Sequence, residues 1–183
     1  MTVLETERLI LRNFQSDDWA ALHEMIVQFE SSDLAAYDQS WPTSPEEIKK
    51  ITDWFASGEI YLVVCLKDSG QFIGFVSLNP EKPSEQRVFN IGYIFNFLYH
   101  RKGYAAEACR AVLRHAFQRL QAGEVVSGTA AANLASCHLL EKLGFKKTSE
   151  ALTSFRKTQD GKAIEFLSYS YALSKDEWEP KSQ

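Results

Sequence analysis

Cysteine and histidine are scarce: three and four in 183 residues. Cys65, Cys109 and Cys137 are odd in number and far apart, and the histidines are scattered, so neither a zinc spacing nor a Cys-x-x-Cys redox pair can be assembled from neighbours. The reading is a reduced, cytoplasmic protein with no metal. No apolar run approaches the roughly 20 residues of a membrane-spanning helix. The start, "MTVLETERLILRN", lacks the apolar stretch of a secretory signal, so a soluble protein with no membrane partner is expected. Long basic runs are missing too. With 20 basic against 24 acidic residues the net charge is −4, which argues against a nucleic-acid partner and suits small cationic acceptors better. The Gly-x-Gly-x-x-Gly fingerprint and the Gly-Lys-Ser/Thr ending of a P-loop are both absent. There is no repeat, linker or low-complexity tract.

What remains is a chain with 45% hydrophobic residues, long enough for one well-buried core and read as a single domain over residues 1–183. "RLILRNF" alternates as a strand, and "QSDDW" supplies capping residues before a helical face of Trp19, Leu22, Met25, Ile26 and Phe29. A second helix is announced by Ser44 as cap, Pro45 at its first position, Glu47 completing a capping box and Gly58 as stop; its apolar face is Ile48, Ile51, Trp54 and Phe55. "IYLVVCLK" and "QFIGFVSLN", joined by "DSG", read as a hairpin, "PEKPSEQ" as a loop, and "RVFNIGYIFNF" as a strand. Gly92 inside that strand marks a bulge or a close approach by another backbone. Ala105, Ala108, Val112, Leu113, Ala116, Phe117 and Leu120 then recur at helical spacing. "EVVSGTA" is a strand, "NLASCHLLEKLG" a helix that buries Leu139, Leu140 and Leu143 and stops at Gly144, and the tail is a hairpin turning at Asp160 and Gly161. This order describes a mixed α/β domain around one central sheet.

The stretch "HRKGYAAEA" places Gly103 where a helix begins, beside Arg101 and Lys102. A helix N-terminus carries unpaired N–H groups and partial positive charge, and a glycine lets an anion approach that backbone, so a pyrophosphate fits. A glycine turn flanked by solvated basic residues is the plainer alternative.

"NIGYIFNFLYHRKGYAAEA" followed by "AANLASCHLLEKLGF" resembles the GCN5-related N-acetyltransferases, especially the branch that includes the ribosomal-protein alanine acetyltransferases. "TERLILRNFQSDDW", "FIGFVSLN" and the closing "SYSYALSKDEW" extend the resemblance over most of the chain. It implies a single N-acetyltransferase domain with a mostly antiparallel central sheet, splayed between its fourth and fifth strands and flanked by helices. Acetyl-CoA is the implied co-substrate, its pyrophosphate at the loop His100, Arg101, Lys102, Gly103, Tyr104 and Ala105, where His100 replaces the family's Gln or Arg. By the same resemblance, backbone groups of Ile94 and Phe95 face the pantetheine arm, and Asn133 matches an asparagine near the cofactor. Asn133 read by itself is equally a helix cap.

Acetyl transfer needs a neutral amine, a polarised carbonyl and a proton for the departing thiolate. Relatives often carry a glutamate base where this chain has Asn90, and an amide cannot take a proton, though it can orient a water or the acceptor. Glu24, Glu30, Asp33 and Asp38 fall in the acceptor region and read as solvated surface acids. Leu140 occupies the position where several relatives have a proton-donating tyrosine, and the resemblance to the ribosomal-protein branch implies Ser136 as the alternative donor, with a helix cap as its other role. An α-amino group, with a reference pKa near ~8 against ~10.4 for lysine, needs the least help, so a peptide N-terminus or a small amine is the expected acceptor. Asn90 and Leu140 also feed a competing reading, a non-catalytic acyl-CoA-binding protein. A purely structural α/β protein is the third. Tyr37 and Trp41 are candidates for the acceptor pocket or the core, the latter favoured for Trp41. The sequence is silent on oligomeric state.

Overall fold

The computed structural model of the chain describes residues 3–81 and 87–178. Its elements run β1 (Val3–Glu5), β2 (Leu9–Asn13), α1 (Trp19–Glu30), α2 (Pro45–Ala56), β3 (Tyr61–Leu66), β4 (Phe72–Pro80) and β5 (Val88–Phe95). They continue with α3 (Tyr104–Gln118), β6 (Glu124–Ala130), α4 (Leu134–Leu143), β7 (Lys146–Lys157), β8 (Ala163–Ser174) and α5 (Lys175–Trp178). The eight strands form one sheet in the order β1-β2-β3-β4-β5-β6-β8-β7, antiparallel except for the β5–β6 pair.

Period-two alternation puts β3, β4 and β5 between two cores. In β3, Leu62 and Val64 join one cluster while Val63 and Cys65 join the other. The first cluster is closed by Ala108, Val112, Leu113, Ala116 and Phe117 of α3 with Leu140 and Leu143 of α4. The second is closed by Leu22, Met25 and Ile26 of α1 with Ile48 and Phe55 of α2. Helices therefore cover both faces.

Local signals hold closely at several places. Ser44 caps α2, its hydroxyl accepting from the Glu47 N–H at 3.4 Å and donating to the Glu47 carboxylate at 2.6 Å. Gly144, at φ +100°, ends α4. Trp54 departs from the expected core face: it is 61% exposed, its ring 5.4 Å from Phe55 and 5.5 Å from Tyr61, because the position lies at the rim of the helix–sheet contact. Ser57 forms the C-cap of α2, with Gly58 directly after it. β1 and α5 are additional to the expected elements, and the Gly92 strand stops at Phe95, where Asn96 caps a 3₁₀ turn over Phe97–Tyr99. Gly92 is approached by a side chain rather than a backbone: a Cβ there would lie 2.9 Å from the Ser77 hydroxyl on β4. Of the loop "PEKPSEQ", residues 82–86 lie outside the described residues.

The feature that positions the site is the junction of β5 and β6. They pair in parallel only from Val88↔Glu124 to Asn90↔Val126. A last stitch runs from the Ser127 hydroxyl to the Ile91 carbonyl at 2.9 Å. Beyond it the strands part, β5 reaching Phe95 and β6 Ala130 without further pairing.

Candidate active site

Two backbone devices meet where the strands part. The first is the entrance to α3. Gly103, its N-cap, sits at φ +83°, and Arg101 two residues earlier at φ +60°, both in the left-handed region where a glycine is unstrained. Among the described residues no acceptor is found for the N–H groups of Arg101 through Ala106, and the first bond into the helix is Glu107 N–H to the Gly103 carbonyl at 3.1 Å. A run of free amides at the positive end of a helix, with exposed Arg101 and Lys102 beside it, has the chemistry that could hold a diphosphate.

Arg8 of the β1–β2 turn braces this entrance. Its guanidinium donates to the Lys102 carbonyl at 3.1 Å, pairs with Glu107 at 2.6 Å and stacks 4.6 Å from the Tyr104 ring centroid. Glu107 also accepts from the Thr6 hydroxyl at 2.6 Å and the Arg8 N–H at 2.9 Å. Burial raises the Glu107 carboxyl, but these donors and the guanidinium outweigh it and hold the group below its ordinary range. The His100 side chain is tied to the end of β5: its Nε2 meets the Phe95 carbonyl at 2.9 Å, and its ring packs edge-on against Phe97.

The second device is the free side of β5. Asn96 N–H bonds the Ile73 carbonyl and the Val88 carbonyl accepts from Glu81 N–H, so even-numbered residues of this strand turn their backbone groups to β4. Odd-numbered ones therefore face the gap. This corrects Ile94, whose carbonyl lies 2.6 Å from where a Cβ on Gly74 would sit, on the β4 side. Tyr93 and Phe95 present their amides to the gap instead, and the Phe95 carbonyl is already engaged by His100.

Along the free side of β5 opens a cleft of about 430 Å³, lined by Asn90, Gly92, Tyr93 and Ile94 of β5, Ser127 to Ala130 of β6, Asn133 and Ser136 at the start of α4, Tyr37 and Asp38 after α1, and Phe155 and Phe166 of the last hairpin. Asn133 is the N-cap of α4, its side-chain oxygen accepting from the Ser136 N–H at 3.1 Å. Ser136 is thus not the cap. Its hydroxyl lies 2.8 Å from that of Tyr93. Burial pushes the Tyr93 phenol far above its ordinary range, so it stays protonated. Leu140 is fully buried core. Tyr93 was legible only as a strand aromatic, because its partner lies 43 residues away.

On the acceptor side the four candidate acids separate. Glu24 and Asp33 are exposed. Glu30 is held by Arg156 at 2.8 Å and by Trp41 N–H at 2.9 Å. Asp38 faces the cleft. Asn90 donates to exposed Glu81 at 3.2 Å. Tyr37 lines the cleft, whereas Trp41 packs edge-on 6.4 Å from both Phe55 and Phe75. No group of three His, Cys, Asp or Glu placed to hold a metal occurs among the described residues, nor is any described helix long and apolar enough to cross a membrane.

Comparison with known proteins places this geometry. Residues 8–146 match the model of the acetyltransferase (GNAT) domain. The uncharacterized N-acetyltransferase YnaD of Bacillus subtilis is 26% identical over 178 residues, 96% of this chain and 98% of its own. A GNAT-family acetyltransferase from Bacillus anthracis superposes with a TM-score of 0.81 at 24% identity, covering 96% of this chain and all of that one. The ribosomal-protein-S5-alanine acetyltransferase of Vibrio fischeri does so with a TM-score of 0.79 at 20% identity, covering 97% and 99% of the two chains.

Proposed function

The chain belongs to the GNAT acetyltransferase family, and from that premise we propose that it acetylates the α-amino group of a peptide N-terminus, or a small amine of similar basicity, in the manner of the ribosomal-protein alanine branch. Enzymes of the family take acetyl-CoA as co-substrate and transfer its acetyl group to an amine. The single observation that carries the reading is the cleft at the parting of β5 and β6, lined by the Tyr93–Ser136 hydroxyl pair.

The amides from Arg101 to Ala106 fit the diphosphate, and the unpaired amides of Tyr93 and Phe95 fit an extended arm laid along β5 as an added strand. When bound there, the co-substrate supplies a thioester, the activated acyl group. Ser136 then donates a hydrogen bond to the departing sulfur, and Tyr93, kept protonated by burial, donates in turn to Ser136. This pair stands in for the hydroxyl that Leu140 cannot provide. A thiol with a reference pKa near ~8.5 is already a fair leaving group, so positioning carries more of the rate than the donor does.

The amine sets the acceptor class. With an amide at position 90, an amine that gives up its proton readily is favoured, and an α-amine is less basic than a lysine side chain by about two pKa units. The test is kcat/KM for thiol release with an N-terminal peptide against a matched N-blocked lysine peptide at pH 7. The N-terminal peptide is expected to be the better substrate; a preference for the lysine peptide would overturn the α-amine assignment.

A further inference from the structure

Asp38 ends the 3₁₀ turn Asp33–Tyr37 that follows α1, and it is the one charged side chain among the described residues lining the cleft. Its place is built from two sides. Arg156 of β7 donates from Nε to the Asp38 carbonyl at 2.8 Å and from Nη2 to the Gln39 carbonyl at 3.0 Å. The same guanidinium grips the Glu30 carboxylate at 2.9 and 2.8 Å, and Glu30 in turn accepts the Trp41 N–H at 2.9 Å. The backbone from Asp38 to Trp41 is thereby fixed between α1 and β7.

The Asp38 carboxylate itself is left open. Oδ1 accepts the Gln39 N–H at 2.7 Å, while among the described residues no donor reaches Oδ2. Arg156 directs four of its five N–H groups to Glu30 and to carbonyls, and its charge is matched by Glu30. A half-buried anion therefore faces a cleft with no cation of its own. Around it stand apolar and aromatic groups, with Tyr37 edge-on to Phe166 at 5.4 Å and Phe155 5.6 Å from the same ring, suited to the carbon skeleton of an amine.

We propose that Asp38 is the counter-ion and proton acceptor of the reacting amine: it draws the acceptor into the cleft as an ammonium and takes the first proton from its nitrogen. The proposal rests on the acetyltransferase reading and supplies the base that Asn90 cannot. The ammonium nitrogen gives one proton to Asp38 Oδ2, and its freed lone pair forms the C–N bond to the acetyl carbon. The C–S bond breaks with its electron pair on sulfur. The second nitrogen proton ends on the thiol by way of Ser136, and Asp38 returns the first to solvent. Burial pushes the Asp38 carboxyl above its ordinary range, and Glu30 of α1 adds to this, while the Gln39 N–H and Arg156 of β7 pull the other way. Tyr37 is the neighbouring titratable group on its own turn, and β8 contributes the uncharged Phe166.

The productive complex pairs ionised Asp38 with a protonated amine, so log kcat/KM for an N-terminal peptide rises through the Asp38 ionisation, levels, and falls through the amine's. In Asp38→Asn the anion is gone and only the free amine reacts. At pH 7 kcat/KM then drops about a hundredfold, and the profile becomes a monotonic rise to the amine's pKa. Unchanged acetyl-CoA affinity by calorimetry shows that the variant is folded. A variant with the wild-type profile overturns the proposal. So does a wild-type enzyme whose profile is already the amine's own titration, whatever the variant does. Wild-type enzyme that acetylates no amine at all brings down the underlying acetyl-transfer reading instead.

Discussion

Ser136 and Tyr93 are two hydroxyls held 2.8 Å apart in the cleft. Neither replaces the other: Tyr93 is anchored in the first core cluster, whereas Ser136 sits in the first turn of α4, directly behind the Asn133 cap. If they act as one relay, deleting either removes the same transition-state hydrogen bond. Ser136→Ala is expected to lower kcat about tenfold with acetyl-CoA affinity unchanged, and the double variant with Tyr93→Phe should be scarcely slower than either single one. Single-turnover kinetics on the three variants decide this. Wild-type turnover with a lowered melting temperature would assign Ser136 to structure alone.

At the scale of elements, the entrance to α3 is shaped from outside the helix. Thr6 and Arg8, from the turn between β1 and β2, converge on Glu107 in its first turn, and Arg8 also holds the Lys102 carbonyl. The carboxylate serves twice, complementing the helix dipole and pinning the basic loop in its left-handed path. Because the folded carboxyl lies below its ordinary range, Glu107 adds stability above the unfolded-state pKa, and that increment is lost as pH falls through the lower folded value. Thermal melts of wild type should therefore lose stability through the acid range more steeply than those of Glu107→Gln. Parallel slopes would mean that the network contributes nothing to folding. At neutral pH the variant should also bind CoA more weakly, since Arg8 loses its partner beside the diphosphate cradle.

Across the whole molecule, the sheet opens on one side and is tied together on the other. The parting of β5 and β6 creates the cleft, and the terminal hairpin β7–β8 folds back to wall it. The tie is Arg156 to Glu30, with side chains only 18% and 13% exposed, joining residues 126 apart. Removing one partner of a mostly buried pair leaves the other uncompensated, so Arg156→Met should cost about 3 kcal/mol in urea denaturation. Arg156→Lys, which keeps charge but loses the fork, should recover only part of it. Full stability in the methionine variant would show that the hairpin docks by its apolar contacts alone.

The sequence by itself determined what local physics controls. Alternation set the strands, helical spacing and caps set α2 and α4, and Gly103 after two basic residues marked the start of α3. Those signals lie within a few residues of one another, so no distant contact is needed to read them. Trp54 shows the limit: its helical phase is core-like, yet the rim of the contact leaves it in water. The tertiary structure alone decided which side of β5 faces the gap, and so that Tyr93 and Phe95 rather than Ile94 offer their amides. It also decided that Ser136 meets Tyr93 and that Asp38, among four similar acids, is the one aimed into the cleft. The last two depend on partners 43 and 118 residues away, and a hydrogen bond closed over such a loop leaves no periodicity or spacing in the chain that makes it.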